Sequence, residues 1–134
     1  MPKAMQHHLA PPGMAPGNGY SQVVAATGRI VAVAGQVAMD AGGNLVGQGD
    51  PEAQAEQVFE NISTALAATG SSFGDVIKLT VFVTDMAILP DVRRVRDRYV
   101  DAERPPASTA VQVVALVRPE LLLEVEALAV VVDE

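Results

Sequence analysis

The chain has 134 residues, 49% apolar but only 4% aromatic, with nine basic against sixteen acidic residues and a formal net charge of −7. That length fits one domain, 1–134, with a core assembled from Val, Ala, Leu and Ile rather than rings. The charge excludes a general polyanion binder, which needs a cationic surface to displace phosphate counterions, and the absence of cysteine excludes disulfides and thiolate chemistry.

Met1 to Gly13 has no apolar run, so neither a signal peptide nor a membrane span is expected, and a soluble cytoplasmic protein is the default. Residues 1–18 read as a flexible lead-in. The run Pro11-Pro12-Gly13-Met14-Ala15-Pro16-Gly17-Asn18-Gly19 suits neither helix nor central strand, and order is expected from Tyr20. His7-His8 has no third ligand nearby and reads as a mobile tail rather than a metal site.

Ser21 to Ala26 and Arg29 to Gly35 read as two strands across a Thr27-Gly28 turn. The second alternates Val31 and Val33 with Ile30, Ala32 and Ala34, apolar on both sides, so cover is expected on both faces. Asp40-Ala41-Gly42-Gly43-Asn44 marks a tight turn, not a phosphate loop. A helix follows, with Asp50 as cap, Pro51 in the first turn and Gly70 at the left-handed end. Ala55, Val58, Phe59, Ile62 and Leu66 share one of its faces, while Gln54, Gln57, Asn61 and the glutamates supply the polar surface.

Asp75 to Thr84 alternates as a strand, with Ile77, Leu79, Val81 and Val83 on one side. A second helix begins at Pro90, presenting Val92, Val95 and Tyr99 to the sheet and Arg93 one turn before Asp97. Arg93, Arg94, Arg96 and Arg98 are expected to face solvent. Pro105-Pro106 ends the helical stretch, and Thr109 to Leu116 and Leu122 to Val132 complete the strands. Two helices cover one face of such a sheet only. The second side of the last strand, with Leu122, Leu128, Val130 and Val132, then calls for self-association.

Several segments carry a resemblance. Pro105-Pro106-Ala107-Ser108-Thr109-Ala110-Val111 and Glu124-Val125-Glu126-Ala127 resemble the C-terminal signature of the reactive-intermediate (enamine/imine) deaminase family, the RidA-like or YjgF-type proteins. Gly19-Tyr20-Ser21-Gln22, Val33-Ala34-Gly35-Gln36-Val37, Gln57 to Ile62, Ala68 to Val76 and Thr80 to Met86 are similar to its other segments, in the same order. The resemblance implies an α+β, chorismate-mutase-like fold, a mixed sheet with two helices on one face. It also implies a homotrimer with small-molecule sites in the intersubunit clefts and cofactor-free hydrolysis of small imines or enamines. By position it implies Glu124 as the residue that orients or activates water, Tyr20 as pocket wall, and Gly35 as the backbone contact.

Ser108 stands where the family's carboxylate-binding arginine is expected, Ala110 where a cysteine is frequent, and Ala87 where an asparagine is frequent. Serine offers one neutral hydrogen bond in place of a charged fork, so binding of a substrate carboxylate through this position is expected to weaken at least about ten- to a hundred-fold. Arg104, four residues earlier, is a candidate replacement, against its reading as a solvated charge before the Pro-Pro turn. Glu124 and Glu126 project from one strand face roughly 7 Å apart, a placement that raises the proton affinity of a carboxylate pair. Glu124 is taken as functional, and Glu126 as structural with Lys78 as a possible partner. Tyr20 fits a pocket wall or a packed edge residue equally.

Three functions follow: a deaminase of altered specificity, a metabolite-binding trimer acting as sensor or scaffold without turnover, and a ribonuclease or translation inhibitor. The acidic balance argues against the last, and neither nucleic acid nor membrane is an expected partner.

Overall fold

The computed structural model describes residues 4–132. In chain order the elements are β1 (Met5–His8), β2 (Val23–Ala26), β3 (Arg29–Gln36), α1 (Pro51–Ala67), β4 (Val76–Val83), α2 (Leu89–Arg96), β5 (Ala107–Gln112) and β6 (Leu123–Val131). Four strands form one sheet in the order β3-β6-β4-β5, and β1 and β2 form a separate antiparallel pair. Only β4 and β5 run parallel, joined by the crossover that contains α2. The fold is α+β, with a mixed sheet and both helices on one face.

Asp50 caps α1 by accepting from the Ala53 N–H at 3.1 Å, Pro51 occupies its first turn, and Gly70 has φ +74° beyond its end. Ala55, Val58, Phe59, Ile62 and Leu66 are all buried. They pack over Val31 and Val33 of β3, Leu79, Val81 and Val83 of β4, and Leu123, Val125, Ala127 and Ala129 of β6. Burying such side chains contributes roughly 25 cal/mol per Å² of apolar surface. Phe59, Phe73 and Tyr99 cluster with ring centroids 5.2 to 6.1 Å apart, Phe59 stacked on both others and Phe73 tilted against Tyr99, and join α1 to the segment after α2. Tyr99 therefore packs on α1 beyond the end of α2, not on the sheet. At the start of β4 a register irregularity between Val76 and Lys78 turns Val76 into the core in place of the expected Ile77.

Several expectations are corrected. The lead-in holds a strand: Met5–His8 pairs with Val23–Ala26, so order begins well before Tyr20 and His7-His8 is no tail; residues 1–3 lie outside the described residues. Pairing with a distant strand leaves no local sequence mark. The two strands expected on either side of Thr27-Gly28 are present but belong to different sheets, since β2 joins β1 and β3 joins β6. Within one chain only one face of β3 is covered, and Ile30 is 71% exposed beside exposed Ala32 and Ala34. The strand expected to reach Leu116 ends at Gln112, leaving Val114 and Val117 exposed in the following loop.

Gln54 is also not a surface residue. Fully buried, it donates to the carbonyls of Gly47 (3.1 Å) and Glu120 (3.0 Å) and accepts from the Leu122 N–H (2.9 Å), tying α1 to the loops before it and before β6. Replacing Gln54 with Ala leaves part-buried backbone groups without this partner and is expected to cost about 1–3 kcal/mol in all. Chemical denaturation of the two proteins measures it; a loss under about 0.5 kcal/mol would contradict the tie.

Burial, with Arg104 nearby, holds the His7 imidazole below its ordinary pKa of 6.5. The unfolded segment then binds more protons than the folded one. The strand pair β1–β2 is thus fully stabilised by this group above that pH and weakens as pH falls through it. Amide exchange in β1 is expected to accelerate on acidification, and His7→Gln should flatten that dependence.

Candidate functional site

Strand register decides where the five sequence-selected residues lie. Ser108 pairs with Leu79 and Ala110 with Val81, and both partners face the helices and the core. Glu124 pairs with Phe82 and Glu126 with Thr80, on the opposite face. Because side chains alternate strictly along a strand, Ser108 and Ala110 point to the helix side and Glu124 to the uncovered side. One chain cannot bring them together.

The first group lines a cavity of about 320 Å³ between β5 and α2, which includes Tyr20, Ser108 and Ala110. Such a volume suits a small metabolite. Tyr20 reaches it because Ser21 is stitched to the start of β5. The Ser21 N–H donates to the Pro106 carbonyl at 3.0 Å and its hydroxyl to the Pro105 carbonyl at 2.6 Å. Tyr20 is therefore a pocket wall, and Gly17 lies so close to its ring that a side chain there would collide with it.

Apolar walls come from Phe59, Val81, Met86, Leu89 and Val92. The charged lining, which sequence reasoning missed, is Arg93 and Arg96. Arg96, expected in solvent, is 5% exposed and gives Nε and Nη2 to Asp97 Oδ1 at 3.0 and 2.9 Å. It takes the Asp97 pairing expected of Arg93. Gly19, at φ +74°, presses its backbone against the Arg96 guanidinium so closely that a β-carbon would overlap it. Arg94 and Arg98 behave as expected, in exposed pairs with Asp91, Glu52 and Glu56. Arg104 is exposed, pairs with Asp101 at 3.5 Å and is not part of the cavity wall. The only signal that could have separated Arg93 and Arg96 from their neighbours is their three-residue spacing, which aligns them with Leu89 and Val92 on the inner face.

The second group is Gly35 and Glu124. An irregularity between Val33 and Gln36 brings Gly35 against the half-buried Glu124 side chain, where a β-carbon at 35 would overlap the carboxylate. Asn61 holds the chain just beyond by donating to the carbonyls of Val37 (3.2 Å) and Met39 (2.9 Å). Among the described residues no donor pairs with Glu124 or Glu126. Lys78 instead bonds Thr109 Oγ1 on β5 at 2.6 Å. Ala87, in the turn before α2, is exposed and outside the cavity wall. Among the described residues no His, Cys, Asp or Glu cluster could hold a metal, and no helix is long and apolar enough to cross a membrane.

The clash at Gly35 is with the far end of a flexible side chain, and its backbone is not left-handed. Gly35→Ala is therefore expected to displace the Glu124 carboxylate while changing stability by no more than about 0.5 kcal/mol, as for a surface substitution. A crystal structure with a thermal melt checks both; an unmoved carboxylate would refute the contact.

The sequence model of the family described as Endoribonuclease L-PSP matches residues 11–131. Protein DfrA of Myxococcus xanthus is 39% identical over 129 residues, 96% of this chain and 95% of DfrA. The solved structure of YyfB from Yersinia pestis, a protein of unknown function in the conserved Rid family, superposes with a TM-score of 0.85 at 34% identity. It covers 96% of this chain and 100% of that one. An Escherichia coli K12 protein provisionally named reactive intermediate deaminase TdcF is 36% identical over 83 residues, 60% of this chain and 64% of TdcF.

Proposed function

The chain belongs to the Rid (YjgF-type, Endoribonuclease L-PSP) family, and on that premise we propose that it is a cytoplasmic homotrimeric, cofactor-free deaminase hydrolysing a small imine or enamine. The observation that carries the reading is the division of the candidate site into two halves on opposite faces of one sheet. Tyr20, Ser108 and Ala110 form the binding half in one copy. Gly35 and Glu124 form the water-activating half in a second.

The uncovered sheet face supports association. It presents Ile30, Ala32 and Ala34 of β3, Leu128 of β6, Phe82 of β4 and Val111 of β5, and burying it against a like surface removes apolar area from water. In the reaction an enamine first tautomerises to the imine. The free Glu124 carboxylate accepts a proton from water as the oxygen adds to the C=N carbon. The carboxylate passes that proton to the imine nitrogen, giving a neutral carbinolamine. The C–N bond then breaks as the hydroxyl proton is relayed to the departing nitrogen, releasing ammonia and leaving a carbonyl product. A positioned base of this kind is worth about 10²–10⁴-fold. Specificity departs from that of relatives with an arginine at the position of Ser108, since a hydroxyl holds an acid group without charge.

A sensor or scaffold without turnover is the second reading, favoured by the same serine and by a binding cavity whose wall holds no carboxylate in the single chain. Freshly generated imines distinguish the two. Wild type is expected to release ammonia, with Glu124→Ala slower by at least about 10²-fold; equal rates would end the deaminase proposal. Glu124→Ala and Ser108→Trp, each inactive alone, should regain activity when refolded as a mixture, because some sites then combine two intact halves. Absence of complementation, or a monomeric mass by light scattering, would refute the shared site.

A further inference from the structure

Arg93 and Arg96 stand out among the cations of this acidic chain. Each of the other arginines that follow β4 has a carboxylate within 4 Å: Arg94, Arg98, Arg104 and Arg118. Among the described residues Arg93 has none. Arg96 has one, Asp97, but that side chain is 61% exposed and accepts both bonds on a single oxygen. A mostly solvated carboxylate neutralises a buried guanidinium incompletely, and a buried charge is costly unless paired. Nothing among the described residues accepts from Arg96 Nη1.

Both guanidinium-bearing side chains border a cavity whose wall contains no acidic residue; its apolar part includes Phe59, Val81, Leu89 and Val92, and its neutral polar part is Tyr20, Ser108 and Thr109. Low-dielectric walls around like charges focus the potential on whatever enters. Position is fixed as well. The Arg96 guanidinium is held between Asp97 and the Gly19 backbone, so little ordering remains when an anion binds. Ser108 lies in the same wall and offers one more donor.

We propose that Arg93 and Arg96 of helix α2 form a binding site for the carboxylate of a small aliphatic acid, transferring to the helix the cationic anchor that strand β5 lacks at Ser108. This assignment rests on reading the cavity as the substrate half of the shared site. The carboxylate takes the guanidinium N–H groups and the Ser108 hydroxyl. A short hydrocarbon tail lies against Met86, Leu89 and Val92. A cavity of about 320 Å³ suits an acid of a few carbons.

The probes are butyrate and its neutral isostere butyramide, titrated by NMR into wild type, Arg93→Gln, Arg96→Lys, Ser108→Ala and Glu124→Ala. Wild type should bind butyrate at least about tenfold more tightly than butyramide, and Arg93→Gln should weaken butyrate about ten- to a hundred-fold while leaving butyramide unchanged. Ser108→Ala, losing one neutral donor, should weaken butyrate by only about tenfold or less. Arg96→Lys keeps the charge and loses the fork, so an intermediate loss is expected. Should that buried variant fail to fold, the half-exposed Arg93 decides the matter alone. Equal butyrate affinity in wild type and Arg93→Gln, no preference over butyramide, or no butyrate binding would each overturn the assignment.

Glu124→Ala separates the two proposals, because it should still bind butyrate while losing imine turnover. If it turns over imines as wild type does while Arg93→Gln loses butyrate, the anion site stands and the deaminase reading falls. If Glu124→Ala loses turnover but Arg93→Gln binds butyrate normally, the reverse holds.

Discussion

The two-residue period of the β-strand governs this molecule. Along β6 it sends Leu123, Val125, Ala127 and Ala129 into the core and Glu124, Glu126 and Leu128 to the other side. Through the β4 register it sends Ser108 and Ala110 of β5 inward. The core, the uncovered face and the placement of Ser108 and Glu124 on opposite faces follow from one alternation. A one-residue slip would bury the glutamates and expose the core row, which explains how firmly the pairing is specified.

Features written in local chemistry were legible in the sequence. The Asp50 cap, Pro51, Gly70 and the apolar stripe of α1 lie within one helix, so spacing alone reveals them. The two helices were legible for the same reason, whereas the mixed sheet was implied only by the family resemblance. What escaped depends on partners far along the chain. Gln54 is buried because three backbone groups at 47, 120 and 122 converge on it. The β1–β2 pair escaped because Met5–His8 has no alternation of its own and gains order from Val23–Ala26.

The site shows the same division. Tyr20, Gly35, Ser108 and Glu124 were selected by position in a family pattern, and the fold separates them by face in a way no linear reading displays. Arg93 and Arg96 looked like two members of a charged helix surface. Only packing distinguishes them from Arg94 and Arg98, which meet carboxylates on the outside of α1 and α2. Exposed pairs of that kind contribute little to stability. Among the described residues, Arg93 is the cation beside the cavity that has no carboxylate partner.

The contact between Gly35 and Glu124 has an evolutionary corollary. A side chain at position 35 would displace the neighbouring acid, and it is this contact and not the backbone angle that favours glycine there. A lineage that discarded the acid would release its neighbour to drift toward bulkier residues, whereas one that kept it would hold the glycine. Covariation of these two positions among homologues would therefore record which descendants kept a working carboxylate, without any assay.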